Sequence, residues 1–393
     1  MTRALALLFV SSFAATCSFY LLLSVVPLYV ASSHNGDVGA GLATGALMLS
    51  TVLTELATPR LVARFGHRLV WTVGLVLLGA PALALIGSAD LVTILVVNLV
   101  RGIGFAITVV VGAALVATLV PVQRRGEGLG LYGIVVGIPA VVALPLGVWL
   151  VGLVGYPAVF LAGAFAALAG LAVVSGIPRR RPEPEQPPGV LVGLRTPALL
   201  RPSIVFGATA MATGVVVTFL PVALTHSSRD FIAVALLVAP AASTLTRWLG
   251  GRYGDRRGGA RGLLVTGVAL AAAGVFALVL IPNPVAVLIG MAAFGAGFGI
   301  AQIASLSLMF AGVPASGYGI VSALWNLAYD TGMGVGAVGF GLLIAPVGYR
   351  AGFAVTACLL LAALVLALRG AGQATGECGR DIRDRTAVKQ SNV

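Results

Sequence analysis

The chain has 393 residues, of which 59% are hydrophobic and only 9% charged. A soluble domain carries about 25% charged residues, so this composition excludes a water-soluble globular protein. The formal net charge of +12 would suit a nucleic-acid binder, but the placement of that charge along the chain points to a lipid bilayer and to no nucleic acid.

Apolar runs long enough to cross a ~30 Å hydrocarbon core recur from end to end. In chain order they cover roughly 5–31, 38–58, 69–87, 91–119, 128–151, 155–176, 202–224, 231–249, 262–281, 284–311, 318–344 and 347–369. Lipid offers backbone groups no hydrogen-bond partners, and runs this long exceed a membrane strand, so each reads as a helix. The expected fold is an all-α polytopic membrane protein with twelve transmembrane helices. The first run follows a lone Arg3 and lacks a clear small-residue cleavage site, so it reads as the first span and not a removed signal. Cys17, Cys358 and Cys378 form no disulfide framework.

The arginines orient these spans. With a cytoplasmic N-terminus, inner loops hold Arg60, Arg64, Arg68, Arg124 and Arg125, then Arg179–Arg181, Arg195 and Arg201, then Arg247, Arg252, Arg256, Arg257 and Arg261. Outer loops keep only Arg229 and Arg350. This asymmetry predicts both termini inside.

Between the sixth and seventh runs lies "IPRRRPEPEQPPGVLVGLRTP", whose proline density and mixed charge mark a flexible linker. It divides the chain into a six-helix bundle at 1–176, a cytoplasmic linker at 177–201 and a second six-helix bundle at 202–369. A polar tail at 370–393 is expected to be disordered. The two bundles look related. Gly102 and Gly104–Phe105 match Gly295 and Gly297–Phe298 at an offset of 193, as do Gly155–Tyr156 and Phe160 with Gly348–Tyr349 and Phe353. Pro27 matches Pro221 and Gly66 matches Gly258 within one residue of that offset. A duplicated unit of this kind is a signature of secondary transporters.

Six plus six spans about a basic linker resembles the major facilitator superfamily over about residues 1–370. Its loop motif, G-x-x-x-D-x-x-G-R-[RK], is best matched by "GRYGDRRGGAR", with Gly251, Asp255, Arg256 and Gly258 in place. The copy "PRLVARFGHR" keeps Gly66 and Arg68 and departs at Pro59, Ala63 and His67. The resemblance implies a gating and packing role for this motif at the cytoplasmic face. "RGIGFA", starting at Arg101, is similar to a span-four motif whose arginine the family links with proton transfer. "GIVVGIPAVVALPLG" is similar in part to a span-five motif of the drug:proton antiporter branch. It keeps Gly133, Gly137, Pro139, Pro145 and Gly147 but lacks the Gly-Pro pair.

Glu55, Arg101 and Asp330 are the ionisable residues well inside apolar runs, with Glu127 at an edge. An ionisable group at mid-bilayer costs ~3 kcal/mol on insertion scales, so it usually faces a partner or a wet cavity. Asp330 shares a helical face with Ser322, Trp325, Asn326, Tyr329 and Met333; Arg101 shares one with Asn98, Phe105 and Thr108. Tyr20 in the first span and Gln302 in the tenth complete the set that the resemblance places around a central cavity. That cavity is expected to be aromatic and amide-rich, with one acid and one base. A carboxyl group ionises near pH 3.9 in water, and a low-dielectric site favours its protonated form by up to ~3–5 units, as a proton-driven carrier requires.

Asp330 is read either as a coupling or substrate-contact residue or as a fixed bond that orients its helix. Arg101 tunes a nearby acid, holds an anionic group, or braces helices through carbonyls. Glu55 either joins the proton path or pairs with Arg60, Arg64 and Arg68 at the inner rim. The histidines show no metal-ligand spacing, and "GAGFG" and "GMGVGAVGFG" read as helix-packing glycines, not a nucleotide loop.

Nothing in the chain supplies a nucleophile–base pair or a metal cluster for an enzyme. The expected function is a proton-coupled exporter of amphipathic drugs or secondary metabolites, with a proton-coupled symporter or uniporter for a sugar or other small metabolite as the alternative. The resemblance further implies a monomer in the bacterial inner membrane, driven by the proton gradient and needing no cofactor.

Overall fold

The structure, a computed structural model, describes residues 3–33, 35–121, 124–176, 195–257, 259–314 and 317–390, with side chains for all of these except 117, 125–127, 129, 130, 251–257 and 370–390. Its regular structure among these residues is helical. The helices are α1 (Arg3–Leu23), α2 (Val25–Ser32), α3 (Gly36–Phe65), α4 (His67–Gly79), α5 (Leu91–Leu119) and α6 (Arg125–Ala169), then α7 (Pro197–Ala223), α8 (Arg229–Arg257), α9 (Ala260–Ala277), α10 (Pro284–Ala311) and α11 (Tyr318–Gln390).

Ten helical stretches among the described residues are long and apolar enough to cross a membrane. Two are much longer than one crossing needs: Leu131–Gly176 has 46 residues and Tyr318–Arg369 has 52. Each contains one break. Gly155 adopts φ 78°, ψ 170° and Gly348 adopts φ 77°, ψ 170°, a backbone region that only glycine enters without strain. These are the positions where the sequence separates the fifth span from the sixth and the eleventh from the twelfth. Further differences lie at the ends of the second half. Helix α7 starts at Pro197 and not near 202, because proline fits the first helical turn, where its missing N–H costs nothing. Helix α11 runs on to Gln390 through the tail that composition assigns to disorder.

The duplication read from sequence reappears in three dimensions. A Cβ on Gly104 would fall on the α4 backbone at Gly74 and Leu78, and a Cβ on Gly297 on the α9 backbone at Gly267 and Ala271, all related by an offset of 193. Thr51 donates to the Gly102 carbonyl at 3.3 Å, as Thr246 does to that of Ala296 at 2.9 Å. Asp90 caps α5 by accepting from the Thr93 amide, and Asn283 at the same offset caps α10 by accepting from the amides of Val285 and Ala286.

Glycine explains how close these helices come. In "DTGMGVG", Gly332 and Gly336 press on the α7 carbonyls of Gly207 and Met211, while Gly334 meets the Met48 side chain of α3. We expect Gly336→Val to cost about 1–3 kcal/mol or more through overpacking, seen as loss of monodisperse protein and a lowered melting temperature. Gly339→Ala, where nothing lies within 4 Å of the added Cβ, should leave both unchanged.

The halves meet chiefly along two helix pairs, α3 with α11 and α6 with α8, and α2 and α3 also touch α7. At the arginine-poor end both seams are shut by side chains. Tyr349 donates to Asp37 at 2.6 Å, the Trp149 indole to Asp230 at 2.8 Å and Arg229 to the Gly152 carbonyl at 2.7 Å. Deeper in, Ser24 donates to the Val217 carbonyl at 2.8 Å and Thr44 and Thr218 bond at 3.0 Å. Towards the arginine-rich end, Leu56, Arg60 and Tyr318 are exposed.

Candidate functional site

Between the two seams lies a cavity of about 810 Å³, counting the solvent at its mouth. Helices α1, α6, α7, α8, α10 and α11 wall it. Its lining is mostly apolar, with Leu144, Val216, Met291 and Phe294 among the contributors. Tyr20, Thr213, Ser243, Thr244, Gln302 and Tyr329 add polar atoms, and Arg247 adds a charge. Small-molecule sites have this character: concave, largely apolar and carrying a few placed polar groups.

One wall is aromatic. Trp325 stacks on Phe206 at 4.5 Å, Phe206 on Phe298 at 6.1 Å and Phe298 against Tyr329 at 6.1 Å. Trp325 is fixed by its indole N–H, which donates to Ser305 at 3.2 Å. Tyr329 therefore reaches the cavity from a supported base, and its helical successor Asp330 points the other way, into the α3 seam.

There Asp330 meets Glu55, and the two carboxyl groups lie within hydrogen-bonding reach of each other. A bond between them requires a proton on one, because a carboxylate only accepts. Asp330 is buried at 4% exposure, whereas Glu55 is half-buried. The pair sits where the closed seam gives way to the exposed ends of α3 and α11. Tyr20 and Tyr329 lie within electrostatic reach of Asp330 on one side and of Arg247 on the other. The acids thus border the cavity through two tyrosines and do not line it. The inner-rim pairing of Glu55 with Arg60, Arg64 and Arg68 does not form. Arg60 and Arg64 are exposed, and Arg64 lies 5.2 Å over the Phe65 ring. Chain proximity favoured those arginines, but α3 turns Glu55 towards α11.

The profile of the Major Facilitator Superfamily matches residues 8–337 and 203–377. The chain belongs to the major facilitator superfamily. It is therefore a multi-pass membrane transporter and not an enzyme. No curated protein matches it in sequence. Solved structures share its fold at low identity. The peptide transporter POT in complex with sulfate aligns over 95% of this chain and 95% of its own, with 15% identity and a TM-score of 0.78. The nucleoside transporter NupG aligns over 94% and 99%, with 13% identity and a TM-score of 0.74. A bacterial homologue of the human lysosomal transporter Spinster, captured inward-facing and occupied, aligns over 93% and 96%, with 16% identity and a TM-score of 0.76.

Within this facilitator fold, the residues singled out from sequence separate into two groups. Tyr20, Gln302 and Tyr329 line the cavity, and Asp330 and Glu55 come together beside it. Arg101, Asn98, Phe105, Trp325 and Asn326 are not among the lining residues. Arg101 is fully buried in the N-terminal half, where its Nε donates to the Leu78 carbonyl of α4 at 3.3 Å and its Nη2 lacks a partner among the described residues. That geometry is the helix brace. Asn98 donates to the Ile94 carbonyl of its own helix, and Phe105 stacks on Phe19 at 3.5 Å. Shared helical spacing put these side chains on one face, but that face packs against α1 and α4.

The cation of the cavity is Arg247, which sequence reading counted among the loop arginines. It stands one helical turn past Ser243, on the same α8 stripe as Ala239, Pro240 and Thr244, all of which line the cavity. In the loop motif, Gly66 closes α3 at φ 80°, ψ 157° and so makes the sharp turn into α4, and Arg68 is half-buried. The side chains of Gly251, Asp255 and Arg256, the whole of Gly258, the linker up to 194 and the Glu127 side chain lie outside the described residues. Among the described residues no group of three or more His, Cys, Asp or Glu is arranged to hold a metal.

Proposed function

We propose that this facilitator is a proton-coupled exporter of amphipathic organic molecules, working by alternating access as a monomer in the bacterial cytoplasmic membrane, with no cofactor. The observation that carries the reading is the Glu55–Asp330 pair, placed at the open end of the α3–α11 seam and beside an aromatic cavity. While the pair shares a proton, the seam holds. Losing that proton leaves two like charges side by side, which repel and favour separation of the helices. Proton release and the movement of the two halves are then one event.

Length supports twelve crossings. Forty-six helical residues extend about 70 Å at 1.5 Å per residue, more than twice the ~30 Å core, and the glycine breaks at Gly155 and Gly348 divide the two longest stretches. Arginine asymmetry places both termini inside, so the shut end faces out and the open end faces the cytoplasm. On this reading the structure is inward-facing.

The test is growth of an efflux-deficient bacterium expressing the protein against a panel of antibiotics and lipophilic dyes. We expect resistance to amphipathic compounds that disappears when the proton gradient is collapsed. A metabolite symporter is the second reading, favoured by the hydroxyl and amide groups of Thr213, Ser243, Thr244 and Gln302 on the wall. Proton-dependent uptake of a sugar or nucleoside by the same cells, without resistance, would replace the first reading by the second.

A further inference from the structure

Among the described lining residues one side chain carries a formal charge, and it is a cation. Arg247 reaches the cavity from α8, is half-buried, and has no hydrogen-bond or ion-pair partner among the described residues. A guanidinium has five N–H donors and no accepting atom, so in an apolar pocket it needs an anion or a fixed acceptor. The two acids nearest the cavity are engaged with each other in the α3–α11 seam.

The duplication sharpens the contrast. Position 137 is the counterpart of 330 at the offset of 193, and α6 faces α8 as α11 faces α3. Where one seam sets an aspartate against Glu55, the other sets Gly137 before Arg247. A Cβ at Gly137 would lie 3.5 Å from Nη2, in van der Waals contact, so the guanidinium faces α6 with no side chain of position 137 between them. A second unfilled group is Gln302 Oε1, a buried acceptor with no donor among the described residues. An acceptor left without a donor in a buried site costs about 1–3 kcal/mol.

We propose that Arg247 and the notch at Gly137 form an anion subsite, and that the substrate is an organic anion. It has one carboxylate or comparable group on Arg247, an N–H or O–H donor for Gln302 and an aromatic body against Phe298. This rests on the reading that the cavity is the transport site, and it narrows the cargo from amphipathic molecules in general to acidic ones.

Three fluorescent probes with one aromatic body test it on the purified protein in lipid nanodiscs. Dansylglycine carries a carboxylate and a sulfonamide N–H, dansylamide is neutral and dansylcadaverine is cationic. Dansylglycine is expected to bind most tightly. Arg247→Gln should weaken it about ten- to a hundredfold, the worth of a charge-assisted hydrogen bond, leave dansylamide unchanged, and be partly repaired by Arg247→Lys. If Arg247→Gln does not fold, Gly137→Asp, which supplies its own carboxylate to the guanidinium, carries the same expectation. Equal binding of charged and neutral probes, preference for the cation, binding of none of the three, or a dansylglycine affinity indifferent to both substitutions overturns the proposal. Ala140→Trp, which fills the cavity, separates the two levels. If it removes dansylglycine binding while Arg247→Gln does not, the anion subsite fails and the cavity stands. If it leaves dansylglycine binding intact, the cavity is not the site and both readings fail.

Discussion

Asp330→Asn is expected to leave drug resistance at the level of cells without the protein, and Glu55→Gln to do the same, while both variants insert and bind substrate. The amide keeps the shape of the carboxyl and can donate to its neighbour, so the seam between α3 and α11 still closes. It cannot release a proton, so the step that reopens the seam is lost. In proteoliposomes, substrate-induced proton movement should vanish in both variants. Asp330→Leu is a different case. It strips the half-buried Glu55 of its partner and sets an apolar side chain against its carboxyl group, so lower stability as well as lost coupling is expected. The double variant Glu55→Gln, Asp330→Asn should be no worse than either single, because the two groups act as one proton site. Full resistance in the Asp330→Asn cells would reduce the pair to a structural bond.

The reach and the limit of the sequence both show in these residues. The apolar helical spans and the duplication were legible because hydropathy and small-residue spacing are local properties, repeated at a fixed offset. The positive-φ glycines at 155 and 348 could be anticipated as break positions, since each stands at the start of an apolar run in the same Gly-Tyr step. The identity of a helix's neighbours is not local. Arg101 stands at the centre of an apolar run and so looked like the functional cation, but α5 turns it to the Leu78 carbonyl of α4. Arg247 stands near the end of a run and so looked like a loop charge, but α8 carries it along the cavity stripe. Asp330 and Glu55 are separated by most of the chain, and only the packing of α3 on α11 joins them. One signal went unused: position 137, the counterpart of Asp330, is glycine and faces α8.

Oxidation of a Thr44→Cys, Thr218→Cys variant is expected to stop transport altogether, and a reductant to restore it. Thr44 lies in α3 of the first half and Thr218 in α7 of the second, and their hydroxyl oxygens bond at 3.0 Å inside the protein, both side chains buried. Sulfur atoms in place of those oxygens start about 3 Å apart, so a small approach brings them to the ~2.05 Å of an S–S bond. The cross-link would hold shut the arginine-poor end, where the Tyr349–Asp37 and Trp149–Asp230 bonds also lie. An alternating-access carrier must part those surfaces once per cycle, so a covalent tie there blocks every turnover while leaving the cavity open on its other side. Dansylglycine should accordingly still bind the oxidised protein. Cys17, Cys358 and Cys378 are replaced by serine beforehand so that only the new pair can react. Transport that continues after complete oxidation, judged by the absence of free thiol, would mean that this end never opens. The seam would then be a fixed floor, and substrate would have to leave by the side from which it entered.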